Sequence, residues 1–208
     1  MSGLIRVVDR GRERRLVVEG SVLSVLPRDG DWRPVRREYW WQALAAMELP
    51  RRPSVLFVGL GGGTQIHLLR QLARPRWITV IERDPWIVRV AHKWFGLAPI
   101  GGLEILCAEA DVAAASLARA RRRFDFVMED AAYGDAPESA LRLGEMAASL
   151  VGPGGVLVVN RHQRGDARAL VAALAPGFET ISVRCVRREA ENLLVCGRRA
   201  SRRRGPAG

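Results

Sequence analysis

The chain has 208 residues, 48% hydrophobic and 26% charged, which excludes wholesale disorder and suits one domain with a small appendage. Lys+Arg outnumber Asp+Glu 33 to 22, for a formal charge of +11, yet Lys93 is the only lysine, so the excess is nearly all arginine. No apolar run reaches the roughly 20 residues of a membrane span, no secretory leader is visible, and Cys107, Cys185 and Cys196 fit neither a disulfide framework nor a metal-ligand spacing; the expectation is a cytoplasmic protein without a metal.

Residues 1–50 read as an appendage. Arg15 to Leu26 (RLVVEGSVLSVL) is a β-hairpin turning at Glu19-Gly20, and Arg36 to Met47 is a helix that ends before Pro50 and Pro53. Residues 51–197 then alternate strand and helix. SVLFVGL is a buried strand, followed by a helix from about Thr64 to Ala73. WITVIE is a second strand, followed by PWIVRVAHKWF, a helix with Pro85 in its first turn. LEILC and DVAAASLARARR, FDFVMED and PESALRLGEMAASLV, and GVLVVN and ARALVAALA make three more pairs. FETISVRCV and NLLVCG close the chain as an antiparallel hairpin. Residues 198–208 hold five arginines beside Gly205, Pro206 and Gly208 and read as a disordered basic tail, either merely solvated or touching nucleic acid. Continuous apolar strands between helices mean an α/β protein with a mainly parallel seven-stranded sheet covered on both faces. Five β-α units with a terminal hairpin make the class I methyltransferase (Rossmann-like) arrangement.

The candidate site lies at the carboxyl ends of these strands. Gly59, Gly61, Gly62 and Gly63 follow the first strand and open the first helix, where glycines let backbone approach a ligand and leave helix N–H groups free. Glu82 ends the second strand about 20 residues later, placed to accept from both hydroxyls of a ribose. Asp84 reads as the cap of the second helix. Asp111 follows the third strand and either accepts an adenine amino group or caps a helix starting at Val112, with Glu109 the alternative acid. Asp130 and Tyr133 follow the fourth strand, over the point where a reacting group would sit. His67 and His162 are stand-in bases. Trp77, Trp86 and Trp94 read as core packing, and Trp40 and Trp41 as either an aromatic lid or a staple between appendage and domain.

VLFVGLGGGT, ITVIERDPWIVRVAHKWFGL, FDFVMEDAAYGDAP and LVGPGGVLVVN resemble the spermidine synthase (polyamine aminopropyltransferase) family, most of all its shorter spermidine synthase-like methyltransferase members. The resemblance covers about residues 50–162, and an N-terminal β-domain and a dimer are what it further implies. It assigns the ribose-binding acid to Glu82 and the adenine-side acid to Asp111. The family's G-G-G-D-G-G loop becomes Gly59-Leu60-Gly61-Gly62-Gly63-Thr64, its aspartate falling on Gly62. Its D-S-S-D loop becomes Asp130-Ala131-Ala132-Tyr133, with the amine-deprotonating acid replaced by Tyr133, and its N-terminal glutamine falls on Leu23. A polyamine is at least a dication at neutral pH and needs such acids for binding and deprotonation. Their loss favours S-adenosyl-L-methionine as donor and methyl transfer to an unidentified small-molecule acceptor. Decarboxylated S-adenosylmethionine with aminopropyl transfer is the alternative, with Glu129, Asp130 or Asp135 replacing the missing acids. A non-catalytic nucleoside- or nucleic-acid-binding module is the third reading. Arg36 or Arg37 beside a methionyl carboxylate would favour the first.

Overall fold

The computed structural model describes residues 3–132, 135–187 and 191–201. Three antiparallel strands, β1 (Ile5–Arg10), β2 (Glu13–Val18) and β3 (Ser21–Pro27), form a meander of their own. The hairpin read from Arg15 to Leu26 is β2 and β3, and β1 adds an edge strand. A 3-10 turn at Val35–Arg37 and a short helix α1 (Tyr39–Leu44) follow, broken at Glu38, so the expected single helix is two pieces.

The larger sheet contains β4 (Ser54–Val58), β5 (Trp77–Glu82), β6 (Leu103–Cys107), β7 (Phe124–Glu129), β8 (Val151–Arg161), β9 (Thr180–Arg187) and β10 (Glu191–Arg198). Its order is β6-β5-β4-β7-β8-β10-β9, parallel through β8 and antiparallel beyond. Helices α2 (Thr64–Leu72), α3 (Pro85–Trp94), α4 (Ala110–Arg119), α5 (Pro137–Ser149) and α6 (Arg164–Leu174) connect the strands. β4 is buried along its whole length, as a strand covered on both faces must be. The chain runs outward from β4 through β5 to β6, then returns to β7 and β8, so the order reverses between β4 and β7. Ligands of open α/β sheets sit beyond the carboxyl ends of the strands at such a reversal.

One apolar cluster joins Leu16, Val25, Val35, Trp40 and Leu44 to Val55, Phe57, Leu68 and Val80, so the N-terminal strands and the larger sheet share a core. Two expectations need correction. Trp77, Trp86 and Trp94 are not core residues: they are 48%, 52% and 41% exposed. Each instead lies under a cation, Arg76, Arg89 and Arg14 respectively. The basic tail does not begin at 198 either. Arg198 ends β10 and donates to the carbonyls of Gly154 and Glu48, and Arg199 donates to that of Val151. Residues 202–208 lie outside the described residues.

Candidate functional site

Gly59 stands at the reversal. Its N–H donates to the carbonyl of Ile81, and the N–H of Asp130 donates to the carbonyl of Val58, so the glycine loop and the loop after β7 are tied to neighbouring strand ends. Gly59 has φ +98°, and a Cβ there would lie 3.0 Å from the Asp130 carbonyl oxygen. Glycine is required by both conformation and space. Gly62 is packed differently. A Cβ there would meet Phe95 at 2.8 Å and Ser24 at 2.9 Å, and its N–H donates to Ser24 Oγ at 2.7 Å. The position where the resembled family carries an aspartate is filled by the chain's own side chains.

Glu82 ends β5 half-buried. Oε2 accepts the Leu60 N–H at 3.1 Å and Oε1 the Asp84 N–H at 2.9 Å. Burial raises its pKa above the ordinary value, with the two N–H groups opposing. Asp84 accepts the Trp86 N–H at 2.9 Å and caps α3.

Asp130 is surrounded by donors from three distant parts of the chain. Oδ2 accepts Tyr39 Oη–H at 2.8 Å and Gln65 Nε2–H at 2.9 Å, and Oδ1 accepts Asn160 Nδ2–H at 2.9 Å. Burial raises the Asp130 pKa, and these donors oppose it. Tyr39 is pushed well above its ordinary pKa by burial and then by the Asp130 charge, so it stays a donor. Asn160 also donates to Asn192 Oδ1, while its own buried Oδ1 has no partner among the described residues.

Beneath this group lies a buried ion pair. Glu129, fully buried, accepts Arg161 Nη1–H at 2.5 Å. Arg161 also donates to the carbonyls of Asn160 and Ala140. The other Glu129 oxygen takes the N–H groups of Ala131 and Ala132, which fixes the backbone just after Asp130.

A cleft of about 1420 Å³ runs over these residues, lined among others by Leu23, Tyr39, Leu60, Glu82, Asp111 and Asp130. Asp111 is exposed on the cleft wall in the first turn of α4. That helix begins at Ala110, two residues before the expected start, so Asp111 does not occupy the cap position. His67 contacts the Phe95 carbonyl and stacks near Trp32, away from Asp130, and burial lowers its pKa. His162 lines the exposed edge of the cleft. Arg36 lies over Trp41 at 4.7 Å and donates to Gln71, so it does not serve the cleft. Trp40 is buried in the shared core, as a staple would be, and also lines the cleft. Tyr133 lies outside the described residues. Tyr39, Gln65, Asn160 and the Glu129–Arg161 pair were not singled out from sequence as a group around Asp130. The available signals were Gln65 just past the glycines, Asn160 at a strand end and Tyr39 in the segment after the meander.

The fold is that of class I S-adenosylmethionine methyltransferases, in a form that spermidine synthases share. No protein-family model matches the chain. The polyamine aminopropyltransferase of Vibrio vulnificus (strain CMCP6) is 26% identical over 114 residues, 53% of this chain and 38% of that protein. The eEF1A lysine and N-terminal methyltransferase of Homo sapiens is 26% identical over 178 residues, 74% of this chain and 25% of that protein. The chain therefore spans well under half the length of these curated relatives. Among solved structures, human Methyltransferase-like protein 13 in complex with SAH matches with TM-score 0.63 and 25% identity, over 83% of this chain and 85% of that one. A probable spermidine synthase from Corynebacterium glutamicum ATCC 13032 matches with TM-score 0.72 over 93% of this chain and 76% of that one, a likeness of fold at 17% identity.

Proposed function

We propose that the chain is a spermidine synthase-like methyltransferase that uses S-adenosylmethionine. The carrying observation is the placement of Glu82, the glycine loop and Asp130 around one cleft at the sheet's reversal. Glu82 keeps carboxylate lone pairs for ribose hydroxyls after taking two backbone donors. Asn160, which holds Asp130 from the end of β8, lines the same cleft. The volume exceeds the roughly 300–1,000 Å³ of an ordinary ligand pocket, leaving room for donor and acceptor together.

S-adenosylmethionine supplies an electrophilic methyl group on sulfonium sulfur. The chain supplies placement and a proton acceptor. Tyr39, Gln65 and Asn160 hold the Asp130 carboxylate in one orientation, and Asp130 takes the proton of the incoming nucleophile. Tyr133, at the fourth position of that loop, and Asp111, on the adenine side, complete the proposed site with Gly61 and Gly63.

Aminopropyl transfer is less well supported. Gly62 has no space for an acid without displacing Ser24 or Phe95. Glu129 is committed to Arg161 and two backbone N–H groups. Asp130, and Asp135 exposed on the cleft rim, are the acids left for that chemistry. We further assign residues 1–50 as an appendage that closes the cleft of the 51–197 domain, and take the working form as a dimer. A cytoplasmic location agrees with exposed thiols at Cys107 and Cys185. No helix among the described residues is long and apolar enough to cross a membrane.

Calorimetric titration with S-adenosylmethionine, decarboxylated S-adenosylmethionine and methylthioadenosine tests the reading. Preference for S-adenosylmethionine, lost in Glu82→Ala, is expected. Preference for the decarboxylated donor would restore aminopropyl transfer, and binding of none would remove both enzymatic readings.

A further inference from the structure

Outside the cleft, α3 presents a face with no role in the proposed chemistry. Trp86 and Trp94 stand 52% and 41% exposed, large apolar surfaces for water to cover. They belong to one i, i+4 row with Val90, and eight residues of helix set them about 12 Å apart. Arg89 lies over Trp86 at 5.1 Å, and Lys93 and Arg14 lie over Trp94 at 5.1 and 5.3 Å. Arg14 is also gripped by Asp9 through two hydrogen bonds and reaches the Trp94 carbonyl. α3 carries no acidic residue, and Asp84 just before it is buried as the cap. Arg83, exposed at the head of the same helix, lines the cleft.

We propose that this face of α3 docks a single-stranded nucleic acid, with bases stacked on Trp86 and Trp94 and phosphates on Arg83, Arg89 and Lys93. Cations interleaved with half-exposed indole rings at this spacing match a chain that alternates charged phosphates with planar bases, each base taking ring surface that the cations leave uncovered. An acidic peptide would satisfy the cations and leave both rings unused. Arg83 makes the row continuous with the cleft mouth. The proposal stands whether or not the cleft transfers methyl groups.

The test is fluorescence anisotropy with labelled oligouridylate and oligothymidylate of about 20 nucleotides, spanning several binding-site lengths. Binding in the micromolar range at low salt is expected. Trp86→Ala should weaken it about tenfold. Arg89→Ala should lower the slope of log affinity against log salt by about 0.7. Both side chains are exposed, and circular dichroism checks that the variants fold. RNA bound over DNA, or both alike, supports the proposal and distinguishes the two strands. Three results overturn it: no binding of either strand at about 100 µM; binding that survives Trp86→Ala but disappears on deleting residues 202–208, which would place it in the basic terminus; or binding of oligoglutamate with the same Trp86 dependence, which would indicate a protein partner.

Discussion

The ribose-binding role proposed for Glu82 depends on a carboxylate staying ionised in a place that resists ionisation. Burial raises its pKa above the ordinary 4.5. A protonated Glu82 loses acceptor capacity toward ribose hydroxyls. Nucleoside affinity should therefore be flat above the raised pKa and fall as pH drops through it, earlier than a solvated glutamate would dictate. Calorimetry over a pH series checks this, and Glu82→Gln should flatten the profile while weakening binding about tenfold or more. Asp130 has the same conflict with stability. Its folded pKa is raised above 3.8, so between that value and the raised one the folded state binds more protons than the unfolded state. Stability from this group is then lost as pH rises through that window, and the loss persists at pH 7. Asp130→Asn should remove the fall in melting temperature that the wild type shows as pH rises through that window, read by thermal melts over a pH series. It should also cut transfer about a hundredfold or more; an unchanged pH dependence of the melting temperature would contradict the account. The placement of Glu82 beside the glycine loop was legible because a strand end and that loop fix its spacing within one β-α-β unit. The Asp130 donors were not, because Tyr39, Gln65 and Asn160 come from separate elements that only the folded chain brings together.

The start of the β7–α5 connection is held by an internal charge pair. Glu129 takes the two N–H groups after Asp130, and Arg161 at the end of β8 neutralises Glu129 and reaches the Ala140 carbonyl in α5. Arg161→Met would leave a buried carboxylate without its counter-charge, at about 3–5 kcal/mol. A loss of about 10 °C in melting temperature is expected. Adding Glu129→Gln should recover part of that stability, because the amide removes the unpaired buried charge and keeps an oxygen for the Ala131 and Ala132 N–H groups; thermal melts on the two variants check this. Gly62→Asp probes the neighbouring loop. Restoring the resembled family's acid should destabilise by about 1–3 kcal/mol, because the new side chain meets Phe95 and Ser24. It should not confer aminopropyl transfer, read by product analysis with the decarboxylated donor. At this scale strands and helices were legible from continuous apolar runs and glycine breaks. The tryptophans of β5 and α3 were misread because an aromatic in an apolar pattern was taken as core, whereas guanidinium groups over Trp77, Trp86 and Trp94 let those rings face water.

Across the molecule, the two sheets are coupled through the cleft they enclose. Ser24 Oγ accepts from Gly62, and Thr64 Oγ exchanges hydrogen bonds with both the N–H and the carbonyl of Val25, so β3 is bonded to the start of α2. Leu16 and Val25 belong to the same apolar cluster as Phe57 and Leu68. The N-terminal meander is therefore a wall of the cleft and part of the main core, a relation that sequence pattern alone did not contain because the contacts join residues about forty positions apart. Three strands with one apolar face need a partner surface for stability. The described domain should unfold in one step, with far-ultraviolet dichroism and tryptophan fluorescence giving coincident transitions. Leu16→Ala, in a site with no exposure, should lower both transitions together by about 2–5 kcal/mol. It should also reduce S-adenosylmethionine affinity, because β3 braces the glycine loop. Two separated transitions, with donor binding retained after the first, would show instead that the meander only rests on a self-sufficient nucleoside-binding domain.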